Sequence, residues 1–260
     1  FADGSGLSTL DLSGTLGVKD LFVINSTSLT SLTLPTSSNT MTRIDCTSCD
    51  LTGALNVPFS GLGGIVSFKL NPNLTSVTFA ASTNAITTFQ LNSCDITGAV
   101  DVSMLVFTNC NWNVNSNPNL TSIVFPTILT NCGINIRFCS GFTGVTFPPT
   151  TATNIYMDFC DLTGTLDLTN VSTFNDLLIN NNPNLTGVTF TPHNDPCSRL
   201  NIQNCNLTGA LDVSGITNIS NLTPLSLGIT VPNNPLLTSI SLPTTSNNIS
   251  LNVKSCNITG

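Results

Sequence analysis

The chain has 260 residues, of which 40% are hydrophobic and only 7% are charged, and its formal net charge is −7. The six basic residues are scattered, which excludes nucleic-acid binding, because that needs Lys and Arg clustered against phosphates. No run of 18 consecutive apolar residues is present, which excludes a membrane-spanning helix and predicts no membrane insertion.

Two short phrases alternate along the chain. One begins with cysteine and marks what we call Cys-type turns, as in CDLTGALNV (49–57) and CNLTGALDV (205–213). The other marks NP-type turns, as in NPNLTSVTF (71–79). The first residue of each phrase defines an anchor position, and the anchors are Ser26, Cys49, Asn71, Cys94, Asn117, Cys139, Cys160, Asn182, Cys205, Asn234 and Cys256. They are 21 to 23 residues apart except for one interval of 29, so the repeat period is about 22 residues.

Apolar residues alternate with polar ones on both sides of each anchor, which indicates β-strands and not helices. An apolar pair stands five and three residues before each anchor, as in Leu21/Val23 and Phe89/Leu91. A second pair follows the anchor, as in Val77/Phe79. Polar corners rich in Asn, Pro, Gly and Thr separate the two strands. The predicted turn boundaries lie near 21, 44, 66, 89, 112, 134, 155, 177, 200, 229 and 251.

One turn buries too little apolar surface to offset the entropy of ordering its backbone, so neighbouring turns must stack. We therefore predict one mainly β domain over residues 1–260, a solenoid of about 11 turns with two parallel sheets. Leu91, Val114 and Ile136 are expected on three consecutive rungs of one sheet. Because LSTLDLS (7–13) and the final CNITG both match parts of a repeat, we expect a segment of a longer array.

The segments FQLNSCDI (89–96) and LNIQNCNL (200–207) fit the pattern L-x-L-x-x-N/C-x-L and resemble the leucine-rich repeat family. The LTG that follows resembles the second-strand segment of plant-receptor-like and some bacterial surface repeats. The resemblance covers nearly the whole chain and implies a solenoid that binds ligands on the outward face of its first strands. The chain departs from the family by lacking a convex helical segment, by its frequent Cys anchors and by the alternating NP phrase, which together favour a straighter, β-rich solenoid.

The second strands direct one polar side chain outward at the same height on every turn. Cys-type turns carry Asp11, Asn56, Asp101, Asp167 and Asp212, and NP-type turns carry Thr33, Thr78, Val124, Thr189 and Ser241. Our hypothesis is that alternation keeps the carboxylates two turns apart and so reduces their mutual repulsion.

The ten cysteines fall into different classes. The anchor cysteines are usually two turns apart, about 10 Å and beyond the reach of a disulfide, so we interpret them as small buried hydrophobes. Cys110 and Cys132 stand seven residues before their anchors, on adjacent turns and at a corner, and are the disulfide candidates. No partner is assigned to Cys46, Cys197 or Cys256.

Catalytic and metal-binding patterns are weak. His193, Asp195 and Cys197 lie together in TPHNDPCSR (191–199), but no second histidine and no oxyanion donor accompany them, so an ordinary loop is the favoured interpretation. Asp50, Asp95 and Asp161 offer one carboxylate per site, whereas calcium needs six to eight oxygens. We predict no enzyme activity, no metal and no cofactor.

The candidate binding face is the outward side of the first strands. Its amides, with an isolated Tyr and Arg, suit hydrogen bonding to a glycan or a protein, and its residues are Lys69, Asn92, Asn113, Asn115, Asn135, Arg137, Tyr156, Asp158, Asn180, Asn201 and Gln203. A polar sheet face that contacts only solvent is the alternative interpretation.

The weakly charged, Ser-, Thr- and Asn-rich composition favours an extracellular or cell-surface location. The predicted function is a non-enzymatic scaffold for adhesion or recognition, with a protein or glycan at a cell surface, or copies of itself, as partner. One alternative is a structural surface, filament or virion-fibre component that stacks end to end. A remote alternative is an ice-binding ladder formed by Thr33, Thr78, Thr189 and Ser241.

Overall fold

A computed structural model describes residues 4–36, 41–193, 195–219, 228–244 and 249–259. Their regular structure consists of strands β1 to β22, and no helix that could cross a membrane is present in this part of the chain. The first strands of successive turns are β2 (Asp20–Phe22), β4 (Arg43–Asp45), β6 (Gly64–Ser67), β8 (Ala85–Gln90), β10 (Val106–Asn113), β12 (Leu129–Asn135), β13 (Thr150–Tyr156), β16 (Asp176–Leu178), β18 (Arg199–Asn201), β20 (Ile229–Thr230) and β22 (Leu251–Asn252). A short additional strand, β15 (Val171–Thr173), pairs with β13.

The first strands form one continuous parallel sheet along the molecule. Eleven rungs, from β2 to β22, enclose about ten turns of about 22 residues each, which confirms the predicted period and the solenoid. Leu91, Val114 and Ile136 are fully buried on three consecutive turns, as expected. The N–H of Leu91 donates to the carbonyl of Asn113, and that of Val114 donates to the carbonyl of Asn135, both at 2.9 Å.

The prediction of a second continuous sheet is wrong. The second strands are β1 (Thr9–Asp11), β3 (Ser31–Thr33), β5 (Thr52–Val57), β7 (Asn73–Phe79), β9 (Gly98–Asp101), β11 (Leu120–Val124), β14 (Gly164–Leu168), β17 (Leu185–Phe190), β19 (Gly209–Asp212) and β21 (Leu237–Ser241). Within the described residues they form five separate pairs: β1–β3, β5–β7, β9–β11, β14–β17 and β19–β21. Each pair joins one turn to the next, and a hollow of about 150 Å³ opens between β7 and β9, where no ladder continues.

The break has a local cause in four left-handed glycines that follow Cys anchors: Gly53, Gly98, Gly164 and Gly209. Gly98 adopts a left-handed backbone with φ of 73°, a conformation that glycine accepts without steric cost. The N–H of Thr97 still donates backward to the carbonyl of Thr75, whereas the N–H of Gly98 donates forward to the carbonyl of Asn119. The second strand of a Cys-type turn therefore leaves the turn before it and pairs with the turn after it.

The register of these pairs confirms the predicted outward column. Asp101 lies opposite Val124, and Asp167 lies opposite Thr189, whose hydroxyl donates to the carboxylate at 3.1 Å. Hydrogen bonds from the side chain and the backbone N–H of Ser103 lower the pKa of Asp101. These carboxylates thus accept hydrogen bonds from nearby hydroxyl and N–H groups. That the alternation of turns reduces repulsion between them stays a prediction.

Anchor asparagines bond each NP-type turn to the turn before it. Asn117 is buried, and its Nδ2 donates to the carbonyls of Leu91 (2.9 Å) and Val114 (2.8 Å). Its Oδ1 accepts from the N–H of Ile96 in the preceding turn (3.1 Å). Equivalent bonds to the preceding turn are made by Asn71, Asn182 and Asn234.

The anchor cysteines except Cys256, which is partly exposed, are buried as predicted, and they also act as donors. The thiol of Cys94 donates to the carbonyl of Phe68 (3.2 Å), and that of Cys205 donates to the carbonyl of Ile179 (3.2 Å). These carbonyls hold the same place in the preceding turn as Leu91, the acceptor of Asn117. The cysteine thiol and the asparagine amide therefore donate the same hydrogen bond to the preceding turn. The asparagine side chain also accepts a hydrogen bond from that turn, through its Oδ1.

These contacts group the turns in pairs. We call a Cys-type turn and the NP-type turn that follows it a two-turn unit, because their second strands pair and the anchor asparagine bonds backward. Asn73 adds a third contact, since its Nδ2 donates to Asp50 Oδ1 at 2.6 Å. The turn that begins at Cys139 falls between two such units, and its residues 141–147 form no strand.

Candidate functional site

The predicted binding face lies on the outward side of the continuous sheet, where the structure brings its residues together in two columns. One column contains Asn113, Asn135, Tyr156 and Asn201, which occupy equivalent positions on β10, β12, β13 and β18. The other runs over seven consecutive turns through Lys69, Asn92, Asn115, Arg137, Asp158, Asn180 and Gln203. Most of these side chains are half-buried, because each one packs against its equivalents on the neighbouring turns.

Four charged residues on or beside this face, Arg137, Asp158, Asp176 and Arg199, form one network across four turns. Arg137 Nε lies 2.7 Å from Asp158 Oδ2, and its guanidinium covers the Tyr156 ring at 4.3 Å. The Arg137 N–H does not point along the line to the carboxylate, so the contact is an ion pair and not a hydrogen bond. Tyr156 donates its hydroxyl to Asp176 Oδ2 (3.2 Å), which also pairs with Arg199 (2.9 Å). Two arginines and two aspartates therefore balance in charge and hold the tyrosine in place.

Asp158 and Asn180 are buried, at 6% and 8% exposure, and they bond within the sheet. Asp158 Oδ1 accepts from the backbone N–H of Asn180 (2.8 Å), and Asn180 Oδ1 accepts from that of Gln203 (3.1 Å). These two side chains stabilise the stacking of turns and present little surface to a ligand.

Two adjoining hollows of about 350 and 340 Å³ lie beside this face, along the middle of strands β10, β12 and β13. They meet at Thr153 and Asn154, and we call them together the amide groove, defined by Asn109, Asn111, Asn131, Asn154 and Asn175. The groove exists because the sheet bulges here. Asn109 and Asn131 adopt left-handed φ of 50° and 53°, and the register shifts beside them.

Some side-chain amides of the groove form hydrogen bonds within the protein, and others do not. Asn131 Nδ2 donates to Asn109 Oδ1 (2.6 Å), and Asn175 Oδ1 accepts from the Ser198 hydroxyl (2.8 Å). In contrast, the side chains of Asn111 and Asn154 make no hydrogen bond to any residue that the structure describes. Asparagine donates and accepts, so these two amides can satisfy both kinds of hydrogen-bonding group on a ligand.

Sequence analysis missed the amide groove. The available signal was the repeated asparagine beside a non-anchor cysteine, in NCN (109–111) and NC (131–132), at the same distance from two successive anchors. Asparagine is one of the few non-glycine residues that readily adopts the left-handed conformation, so this repetition marks a bulge.

An exposed aromatic pair borders the other side of the face. Phe138 and Phe159 precede their anchors on adjacent turns, and their rings stack with centroids 5.0 Å apart and planes 15° apart. They are 51% and 49% exposed, and both have left-handed φ near 57°. Such a backbone costs about 1 kcal/mol or more for a bulky residue. The column continues as an amide ladder, in which Asn204 donates to Asn181 (2.8 Å) and Asn233 donates to Asn204 (2.6 Å).

The loop around His193 gives no sign of a nucleophile and its base. His193 is 9% exposed, and its ring packs edge-on against Phe174 at 4.8 Å. Neither ring nitrogen has a hydrogen-bond partner within the described chain. Cys197 is fully buried, which raises the pKa of its thiol to about 12, so it carries no thiolate near neutral pH. Among the described residues, no group of three or more His, Cys, Asp or Glu side chains could hold a metal ion.

Burial of His193 predicts a loss of stability in mild acid. Burial lowers the pKa of His193 below its ordinary value of 6.5, against a smaller opposing effect of Asp195. The unfolded chain therefore binds a proton more readily, and the stability that neutral His193 contributes is present above pH 6.5 and is lost as the pH falls toward the lowered pKa. We expect the thermal midpoint to fall between pH 7 and pH 5.5. His193→Phe, which keeps a ring against Phe174, should remove that fall, and an unchanged pH profile in the variant would disprove the assignment.

Protein-family models, curated protein sequences and solved structures contain no match to this chain.

Proposed function

We propose that the protein is a non-enzymatic, extracellular, leucine-rich-repeat-like scaffold that recognises a glycan. The site is the outward face of the continuous sheet, from the amide groove across Arg137 and Tyr156 to the Phe138–Phe159 pair. The observation that carries the proposal is the uncommitted amides of Asn111 and Asn154 in the amide groove.

The chemistry of the face suits a sugar. Sugar hydroxyls donate and accept hydrogen bonds, as the amides of Asn111, Asn154, Asn201 and Gln203 also do. Arg137 and Arg199 are each paired with an aspartate, and Asp195 adds a negative charge at the edge of the groove, so the recognition chemistry favours a neutral ligand over an acidic one.

The size of the face fits a short oligosaccharide. The near edge of the groove, at Gly133 and Asn154, and the aromatic pair are separated by five residues of extended chain, or roughly 17 Å. The groove spans four turns, or roughly 15 Å along the solenoid.

Binding to a glycan array tests the proposal. Wild-type protein should bind a defined set of neutral oligosaccharides, and Asn111→Ala/Asn154→Ala should lower the affinity about tenfold, because two hydrogen bonds at about 0.5–1.5 kcal/mol each are lost. The unfolding midpoint should not change, since neither amide bonds within the described fold. Asn206→Ala is the matched control, because Asn206 follows an anchor and does not line the groove.

Two outcomes would contradict the proposal. One is a wild-type protein that binds no glycan and forms ordered polymers in micrographs, which would favour the structural role. The other is glycan binding that the double variant leaves unchanged, which would place the site elsewhere on the solenoid.

A further inference from the structure

Cys110 and Cys132 stand apart from the other cysteines because they occupy neighbouring positions on adjacent strands. They hold equivalent positions on β10 and β12, between the paired residues Thr108/Thr130 and Asn111/Gly133. Adjacent parallel strands are about 4.8 Å apart, within the Cα separation that a disulfide spans. The two thiols are close enough for each to shift the pKa of the other.

The pair is buried but can be reached by a small molecule. Cys110 and Cys132 are 3% and 0% exposed, yet Cys110 lines the larger hollow of the amide groove, about 350 Å³ in volume. Asn109 and Asn131, both left-handed, lie beside the pair and form the bulge that opens this hollow. A reagent that enters the groove therefore reaches Cys110 on β10, which lies next to Cys132 at the equivalent position on β12.

The other cysteines on adjacent turns differ. Cys139 and Cys160 direct their thiols to backbone carbonyls, those of Val114 (3.5 Å) and Ile136 (3.0 Å), and they do not line the amide groove. Burial raises the pKa of Cys139 to about 11 and that of Cys160 to about 12. These two provide a matched comparison for the pair in the groove.

The two thiols of the pair differ in acidity. A hydrogen bond from the Cys110 S–H to the charged form of Cys132 lowers the pKa of Cys132. The pKa of Cys110 is raised, because that hydrogen bond and burial both oppose its ionisation. Thiolate is the species that attacks disulfides.

We propose that Cys110 and Cys132 are a dithiol modification site, which a low-molecular-weight disulfide converts into a disulfide between two turns. The thiolate of the pair attacks one sulfur of the small disulfide, whose S–S bond breaks, and one small thiol leaves with a proton. The remaining protein thiol loses its proton and attacks the protein sulfur of the mixed disulfide, releasing the second small thiol. The protein pair is oxidised by two electrons, and the small disulfide is reduced to two thiols.

The test uses the full chain with oxidised and reduced glutathione, followed by unfolding, alkylation and intact-mass measurement. All ten cysteines are thiols in the structure, so the reduced protein should take up ten alkyl groups and the oxidised protein eight. Cys110→Ser and Cys132→Ser should each form no internal bridge and instead accumulate a single glutathione adduct. Cys139→Ser/Cys160→Ser, the matched control, should still form the bridge.

The bridge should also raise the thermal midpoint of the oxidised wild-type protein by about 5 °C or more, because it closes a loop in the unfolded chain. Cys110→Ser should show no such rise. Ten alkylated thiols in the glutathione-oxidised wild type, or a bridge that persists in Cys110→Ser, would overturn the proposal. Glycan binding is scored separately, so the outcome of this experiment does not depend on the proposed function.

Discussion

Replacing Asn117 by leucine is expected to lower the free energy of unfolding by about 4 kcal/mol, because two buried backbone groups lose their partner at about 1–3 kcal/mol each and a third, the Val114 carbonyl, keeps only the thiol of Cys139. The groups are the carbonyls of Leu91 and Val114 and the N–H of Ile96. Leucine has the same number and branching of side-chain heavy atoms as asparagine, so the loss of hydrogen bonds is the main effect. Chemical denaturation followed by circular dichroism measures it.

Cys94→Ala is the matched control at the neighbouring anchor. Its thiol contributes one main hydrogen bond to the preceding turn, to the carbonyl of Phe68, so we expect a loss of only about 1.5 kcal/mol. Equal losses in the two variants would show that the anchor asparagine does not bridge the turns as described.

Replacing Trp112 by alanine should cost about 3–5 kcal/mol, the usual range for removing a large aromatic side chain from a core. Trp112 is 1% exposed and lies between two phenylalanines. Its ring is parallel to that of Phe89, with centroids 5.6 Å apart, and tilted against that of Phe125 at 5.4 Å. Calorimetry should show a large fall in the thermal midpoint, and a loss under about 1 kcal/mol would contradict this account of the core.

Two further variants test whether the loss comes from removing an aromatic ring from the core. Trp112→Phe keeps a ring in the stack and removes an indole N–H that has no hydrogen-bond partner within the described residues, so we expect a loss of at most about 1.5 kcal/mol. Met104→Ala removes a side chain that is 60% exposed, and its effect should stay within about 0.5 kcal/mol.

The sequence was sufficient to predict the solenoid because its period is visible in every turn. Anchors spaced about 22 residues apart placed Leu91, Val114 and Ile136 on consecutive rungs, and the alternation around them identified strands. The same count placed the residues of the candidate face on the outward side of the first strands, and it placed Cys110 and Cys132 on adjacent turns. These inferences need only the period and the side-chain alternation of a strand.

The division of the second sheet could not be predicted in the same way. It depends on the direction in which single backbone N–H groups, such as those of Thr97 and Gly98, donate their hydrogen bonds. That direction follows from the left-handed conformation of a glycine, and the amino-acid sequence does not reveal that conformation. The amide groove arises from the bulge at Asn109 and Asn131, which interrupts the regular alternation on which the prediction relied. The divided sheet and the bulge both depart from the regular repeat, so the spacing of the repeats could not predict their positions.

The two-turn unit sets the step by which such a chain can grow or shrink. Forty-five residues separate Cys49 from Cys94, and the same number separates Cys160 from Cys205. Duplication or loss of 45 residues leaves every second strand paired with its neighbour. A change of one turn leaves a segment that has no strand to pair with, and residues 141–147, which have none, form no strand. Recombination among related genes should therefore change the length of this array mainly in multiples of two turns.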